Sequence, residues 1–375
     1  MKILPVILIG LLMLTLFVVI AFGYYRLSIR FISIFNKKGR KDYSRKGKAI
    51  FVVITLVLTV MSFNVFGAVG ITLLHFIVLA GLMELVNMLV KFLFADKNLK
   101  VWELINKSLV IPAICTTGII IYGYINIHNI VKTEYTIYTN EVSEEYKIVL
   151  ITDIHYGTVI NEEELDAAIA RINEENADVV ILGGDMVDES TTKEDIVMLY
   201  DKLSAIENKL GIYNIEGNHD RQKYAGKPTL SEEEYQEYKK NASINFLEDD
   251  MVQLNNDILL VGRLDVSDKD RASIDELLYR VDEDKYVIVA DHQPVEYSAS
   301  KAAGANLVVS GHTHAGQIFP IGYFTTLVGN AEQNYGLMQD EHFVGIVSSG
   351  LVGWGFPIRT SGHCEYVVIN VKPGK

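Results

Sequence analysis

Lys147-Ile148-Val149-Leu150-Ile151-Thr152 runs without a break into Asp153-Ile154-His155. The first six residues form a near-continuous β-branched run, the pattern of a strand buried on both faces. The next three place a carboxylate and an imidazole at an i, i+2 spacing, which points both side chains to one side of an extended chain. A buried strand that ends in two potential ligands is the pattern from which the fold can be worked out, because it recurs downstream.

Asn161 followed by Glu164 is a capping-box start for a helix through about Asn176. Asp178 to Leu182 is a second buried strand, closed by Gly183-Gly184-Asp185. A helix over 193–206 leads to a third strand over 211–215, which ends in Gly217-Asn218-His219-Asp220. A helix at about 231–242 is followed by two short paired strands, 253–254 and 258–262, joined by Asn255-Asn256-Asp257. A helix over 273–281 precedes the strand 286–290, which ends in Asp291-His292-Gln293-Pro294. Pro294 can open a short helix, and the strand 306–309 then runs into Gly311-His312-Thr313-His314. Phe343 to Ser348 and Glu365 to Val371 read as a final strand pair, and Lys132 to Asn140 as a short link. Strands alternating with helices imply an α/β core with polar residues gathered at the carboxyl ends of the strands.

Five of the nine histidines lie at these strand ends. Taken alone, the stretch 217–220 also fits a surface loop with a turn-forming Asn and Asp. Burying its polar groups unpaired would cost roughly 1–3 kcal/mol each. Its alternative content is an amide oxygen able to ligate a metal, an imidazole able to carry a proton and a carboxylate able to orient it. Imidazole, carboxylate and one amide, with no sulfur, suit divalent Mn, Fe, Zn or Co. Five such stretches in order make the bland reading of each untenable.

The rest of the chain differs in composition. Residues 1–132 carry 15 Lys and Arg against 4 Asp and Glu, whereas residues 133–375 carry 19 against 43. The switch sets a boundary near Lys132: a membrane domain over 1–132, a linker over 133–145 and a soluble domain over 146–375. The acidic domain argues against non-specific nucleic-acid binding. Two cysteines, Cys115 and Cys364, make no disulfide framework. Apolar runs at about 3–25, 49–66, 68–92 and 108–127 predict four membrane helices, each near the ~20 residues a span requires. Arg26, Arg30, Lys37, Lys38, Arg40, Lys41, Arg45, Lys46 and Lys48 lie between the first two, and Lys91, Lys97, Lys100 and Lys107 lie between the last two. Both loops are then cytoplasmic, the N-terminus is outside, and the acidic domain is extracytoplasmic. Glu84 and Asn87 share one face of the third helix, where an interfacial or helix-packing role is expected. His75 has no evident partner in sequence.

The order of motifs resembles the calcineurin-like metallophosphoesterase superfamily over Tyr146 to about Val371. The wording Gly311-His-Thr-His-Ala-Gly-Gln317, Asp291-His-Gln-Pro294 and the tail Phe356-Pro-Ile-Arg359, followed by Cys364-Glu-Tyr-Val-Val-Ile369, is most similar to its membrane-associated bacterial branch. The resemblance implies a four-layer αββα sandwich and a site for two divalent cations. Asp153, His155, Asp185 and His314 would hold one; Asp185, Asn218, His292 and His312 would hold the other, with Asp185 bridging. It further implies that His219 protonates the leaving oxygen while Asp220 fixes its ring. Arg221, Arg263 and Arg359 are candidates to grip phosphate, with structural roles as the alternative. The implied function is a membrane-anchored, extracytoplasmic hydrolase of phosphate esters or pyrophosphates, on a lipid-linked or envelope substrate. A nucleotide phosphodiesterase or nuclease is a second reading, and a non-catalytic sensor or scaffold a third.

Overall fold

The structure is a computed structural model that describes residues 3–34, 45–65, 67–95, 97–281, 284–329, 331–340 and 342–374. It divides into two compact units, Met1–Ile121 and Tyr122–Lys375.

The first unit holds α1 (Ile3–Ile32), α2 (Arg45–Ser62), α3 (Ala68–Leu93), α4 (Lys100–Ser108) and most of α5 (Val110–Ile127). Among the described residues, three segments are long and apolar enough to cross a membrane: Gly10–Ile32, Ala68–Leu93 and Val110–Ile127. The expected second span corresponds to a shorter apolar helix, Gly47–Ser62, so the count of four is not reproduced by length and composition. Phe66, and Lys37, Lys38, Arg40 and Lys41 of the first basic loop, lie outside the described residues. Helix α4 was not expected. It is polar on one face, and the left-handed residue Leu109 (φ 59°) separates it from α5.

Polar side chains fasten these helices to one another. Tyr24 sits 2.8 Å from the Ser62 hydroxyl and donates to the Leu73 carbonyl at 2.9 Å. Glu84 pairs with Arg30, which also donates to Asn106 at 2.8 Å. Trp102 donates to Asn87 at 3.1 Å. Glu84 and Asn87 therefore act in helix packing, and His75 bonds within its own helix to the Ile71 carbonyl at 2.8 Å.

The second unit holds β1 (Ile130–Thr139), β2 (Tyr146–Ile151), α6 (Glu162–Asn173), β3 (Val179–Gly183), α7 (Lys193–Ser204), β4 (Ile212–Ile215), α8 (Glu232–Asn241), β5 (Asn245–Phe246) and β6 (Asp250–Gln253). These are followed by β7 (Ile258–Gly262), α9 (Ile274–Leu277), β8 (Tyr286–Ala290), α10 (Tyr297–Ala302), β9 (Leu307–Ser310), α11 (Ile321–Leu327), β10 (Gly336–Asp340), β11 (Phe343–Val347) and β12 (Cys364–Pro373). They form two six-stranded sheets, ordered β1-β12-β2-β3-β4-β5 and β10-β11-β9-β8-β7-β6.

Period-two alternation decides what each strand packs against. In β2, Ile148 and Leu150 enter a cluster that also holds Ile258, Leu260, Ile288 and Leu307 of the other sheet. Val149 and Ile151 enter another, with Leu165, Ala168 and Ile172 of α6 and Ile196, Leu199 and Leu203 of α7. On the second sheet, Leu259, Val261, Val287 and Val289 meet Ile274 and Tyr297. Helix α6 begins at the expected capping box, in which the Asn161 and Glu164 side chains satisfy each other's backbone N–H groups.

Two expectations are corrected. The segment expected as a link is mostly strand β1, which pairs in parallel with β12 from Ile130↔Cys364 to Thr139↔Pro373. Its pattern misled because exposed Lys132, Glu134 and Tyr138 alternate with inward residues at a sheet edge. The strands taken as a final pair lie in different sheets: β11 joins β9 and β10, whereas β12 sits between β1 and β2.

Candidate metal centre

Strands β2, β3 and β4 run parallel in the first sheet, and β7, β8 and β9 run parallel in the second. The loops leaving their carboxyl ends bring the five motifs together. Asp153, His155, Asp185 and His292 are almost fully buried, and Asn218 and His314 nearly so.

The geometry centres on two carboxylates. Asp185 Oδ2 lies 3.0 Å from His292 Nε2 and 3.6 Å from His155 Nε2. Asp153 Oδ1 lies 3.5 Å from His314 Nε2 and 3.9 Å from His155 Nε2. The ligand atoms of Asp153, His155 and His314 lie within 4.8 Å of one another, as do those of Asp185, His292 and His312. Each set brings potential ligands within reach of one ion.

The far sides of two of the rings are held by hydrogen bonds. His292 Nδ1 is 2.9 Å from the Gly183 carbonyl and His314 Nδ1 is 3.3 Å from that of Val352. His155 Nδ1 faces the Asp188 carboxylate at 3.4 Å. A partner on Nδ1 leaves Nε2 as the ligating nitrogen. Both nitrogens of His155, His292 Nε2 and Asn218 Oδ1 are buried and, apart from the carboxylate approaches given above, have no hydrogen-bond partner. Buried polar atoms are ordinarily paired. Four such atoms on three residues, all nitrogen or oxygen with no sulfur present, fit divalent cations.

The backbone is bent to achieve this. Asp153, His155, Asp185, His312 and His314 all have φ between 43° and 70°, a left-handed region costing non-glycine residues of order 1–3 kcal/mol each. Close approach also demands glycine at two positions. A Cβ at Gly217 would fall 2.2 Å from Asp185 Oδ1, and one at Gly311 would fall 2.3 Å from Asp153 Oδ2.

Electrostatics follow from burial and proximity. Burial pushes the Asp185 carboxyl up, but the His292 and His155 imidazoles beside it outweigh that and hold it well below the usual carboxylate range. Burial pulls His292 down, yet the Asp185 charge more than compensates and raises it well above the ordinary imidazole value. His314 goes the other way: burial pushes it down to about 3, against the Asp153 charge. Burial, reinforced by His292, also lowers His312.

His219 lies beside this cluster, its ring 5.2 Å from that of His155 and 5.3 Å from Trp354. Its backbone N–H donates to Asp185 Oδ1 at 2.8 Å. Its Nδ1 is 2.7 Å from Glu189 Oε2, so Glu189 is the carboxylate that orients the ring. The role expected of Asp220 is corrected here. Asp220 Oδ2 accepts from the backbone N–H groups of Asp185 at 2.8 Å and Gly217 at 2.6 Å. Its Oδ1 accepts from Met186 at 2.8 Å and Val187 at 3.2 Å. Four amides occupy both oxygens, and the carboxylate ties the β3 loop to the β4 loop. Burial and the Asp185 charge push this carboxyl up to about 7, against the pull of those donors.

Glu189, Asp188 and Trp354 escaped the sequence analysis. Trp354 Nε1 donates to Asp188 Oδ2 at 2.9 Å, behind His155. Asp188 and Glu189 follow Asp185 by three and four residues in one loop, and that proximity was the available signal. Trp354, far away in sequence, gave none.

The three arginines are engaged elsewhere. Arg221 pairs with Glu216 and Glu248. Arg263 pairs with Asp291 at 3.3 Å and Glu296 at 2.8 Å. Arg359, fully buried, donates to the carbonyls of His363, Ser349 and Val352. Each holds the fold together, the structural alternative weighed for them.

Residues 146–316 match the calcineurin-like phosphoesterase family. A metallophosphoesterase of Helicobacter pylori (strain ATCC 700392 / 26695) is 33% identical over 248 residues, covering 64% of this chain and 63% of that protein. The chain thus spans under two thirds of the length of that relative. A metallophosphoesterase of Campylobacter jejuni is 30% identical over 261 residues, covering 67% of each chain. A "transmembrane protein with metallophosphoesterase domain" from Danio rerio is 25% identical over 334 residues, covering 84% of this chain and 74% of that one. Among solved structures, a dimetal phosphatase from Danio rerio aligns with a TM-score of 0.37 and 11% identity, over 55% of this chain and 88% of that chain. With the motifs, the family match over 146–316 and the Campylobacter jejuni relative together, the chain belongs to the calcineurin-like phosphoesterase family.

Proposed function

We propose that the chain is a membrane-anchored hydrolase of phosphate ester or pyrophosphate bonds, acting outside the cytoplasm on lipid-linked or envelope substrates. The observation that carries the reading is the pair of buried imidazole nitrogens of His155 and His292 gathered at Asp185, with the buried Asn218 Oδ1 also lacking a hydrogen-bond partner. Asp153, His155, Asp185 and His314 would hold one divalent cation. Asp185, Asn218, His292 and His312 would hold the second, with Asp185 shared. Bound there, two cations supply Lewis-acid chemistry that activates water, orients phosphate oxygens and neutralises developing charge.

The chain's own residues do the rest. With Nδ1 turned to Glu189, His219 presents its other nitrogen to the leaving oxygen and hands it a proton. Asp188 and Trp354 keep His155 in register, and Asp220 keeps the β3 and β4 loops locked at one spacing. With Arg221 and Arg263 committed to carboxylates and Arg359 to backbone carbonyls, charge compensation for a phosphate would fall to the cations.

The hydrolase domain is a four-layer αββα sandwich over 146–375 that also takes in β1 (Ile130–Thr139), and the membrane domain expected over 1–132 ends before that strand. The charge of the loops supports four crossings. Were α2 to remain on one side, the basic stretches at 26–48 and 91–107 would face opposite sides, against the positive-inside bias. A screen of the purified full chain with Mn²⁺ against phosphomonoesters, phosphodiesters, nucleotide pyrophosphates and extracted membrane lipids tests the reading. Turnover confined to lipid-linked phosphates supports it, whereas no metal-dependent turnover of any class overturns it.

A further inference from the structure

The most exposed apolar stretch of the second unit lies directly beyond the metal-binding motif of β9. Phe319 is 61% exposed, Tyr323 73%, Leu327 77% and Val328 65%, with Ile321 and Phe324 also more than half exposed. From Ile318 to Ala331 there is no charged residue, within a domain that carries 43 Asp and Glu. Helix α11 turns its small face inward: Gly322 is buried, and a Cβ there would fall 2.9 Å from the Ala315 carbonyl. Its large side chains are left facing out. Soluble surfaces scatter single apolar residues, but a contiguous patch of this kind marks an interaction site.

What covers the patch follows from its attachment. The loop that carries it is fastened to the C-terminal end of α5, a segment long and apolar enough to cross a membrane. The Phe319 N–H donates to Thr360 Oγ1 at 3.0 Å, and the Thr360 and Ser361 N–H groups donate to the Gln317 carbonyl at 2.8 and 3.0 Å. The adjacent Arg359 N–H donates to the Gly123 carbonyl at 2.9 Å. Asn126 Nδ2 closes the connection on the carbonyls of Arg359 at 3.2 Å and Gly362 at 2.9 Å. Around this junction Tyr122, Tyr124 and Ile125 are exposed on α5, the aromatic signature of a helix end at a membrane surface. An uncharged, aromatic-rich segment pinned to the end of a spanning helix is held where a bilayer interface lies, and an acidic domain has few other surfaces suited to it.

We propose that the segment 319–328 is a second membrane contact, which inserts its apolar side chains into the bilayer interface and sets the metal-bearing loop of β9 against the lipid surface. The inference rests on the reading of the chain as a membrane protein, and it specifies the substrate class as phosphate carried on a lipid at that interface. The shape is that of an interfacial anchor, lying on the membrane without crossing it.

The test uses the full chain in phosphatidylcholine vesicles, with a nitroxide at Leu327→Cys in a Cys115→Ser background. Cys364 is buried. The expected result is faster relaxation by oxygen than by a water-soluble nickel chelate, while the same label at Tyr279→Cys, 69% exposed, reports the reverse. Equal nickel access at both positions overturns the proposal, and so does a label at 327 shielded from both reagents, the mark of a protein partner or a second copy. A second arm substitutes Phe324→Asp with Leu327→Asp. Turnover of a soluble nitrophenyl phosphate should be unchanged, and turnover of a lipid-linked phosphate in vesicles should fall on the order of tenfold as local concentration is lost. Wild-type chain that turns over no lipid phosphate, with the 327 label still embedded, counts against the substrate reading alone. Wild-type turnover of lipid phosphate with a water-exposed 327 label counts against the anchor alone.

Discussion

Asp220→Asn separates the role assigned to Asp220 by the structure from the one expected of it in sequence. The carboxylate accepts four backbone N–H groups, two on each oxygen, at 2.6–3.2 Å. An amide keeps one acceptor oxygen and sets an NH₂ group against the other two donors. A buried donor left without its acceptor costs about 1–3 kcal/mol, so leaving two unpaired costs about 2–6 kcal/mol. That is a large part of the ~5–15 kcal/mol by which a domain is stable. For a domain of this size it corresponds to a fall in melting temperature on the order of 10 °C. Thermal unfolding of the metal-free full chain, followed by a fluorescence probe of the second unit, measures it. Amide hydrogen exchange at Asp185, Met186, Val187 and Gly217 locates the loosening. Asp220→Asn with unchanged melting and exchange, but a changed response to leaving-group quality, would refute the assignment and restore Asp220 as the partner of His219.

Other outcomes follow from the same geometry. His219→Ala should keep its metal content and lose about 10²–10⁴-fold on substrates with poor leaving groups, with a much smaller loss on a nitrophenyl ester; an equal loss on both, or a lost cation, would make the imidazole a ligand. Glu189→Gln should reproduce that asymmetry more weakly, with melting shifted by no more than a few degrees because the pair is partly exposed; a response independent of leaving group would remove Glu189 from the orienting role. Metal affinity should fall as pH is lowered. His292 is raised above its ordinary value in the metal-free protein, so it is protonated below that raised value and must release a proton to bind a cation. Calorimetric titration with Mn²⁺ across neutral pH, in buffers of different ionisation enthalpy, reads that proton, and pH-independent binding would contradict it.

Much of this was visible in the chain. The buried strands β2, β3, β8 and β9 stand out because continuous β-branched runs have few other uses, and each hands its ligand motif to the loop that follows. Helix α6 could be placed by its cap. The elements that escaped are those whose local pattern is weak. Strand β1 alternates inward and exposed residues at a sheet edge and looks like a linker until β12 is there to pair with it. The two-residue β5 and the edge strand β10 have too little buried surface to leave a signature. In the site, chain proximity suggested Asp220 for His219. In space the backbone turns the Asp220 carboxylate towards four amides, and the ring meets Glu189 from 30 residues upstream. Glu84 illustrates the same limit in the first unit, since its partner Arg30 lies 54 residues away on another helix.

The central claim is that the five loops form one site for two cations with Asp185 shared between them. Metal analysis of the purified full chain, loaded with Mn²⁺ and freed of excess, tests it most directly when wild type and Asp185→Asn are compared side by side. The account predicts two cations per chain in wild type, fewer than one in the variant, and phosphoesterase activity that tracks occupancy. Two cations retained in Asp185→Asn, or full wild-type activity after a chelator has removed all metal, would contradict it.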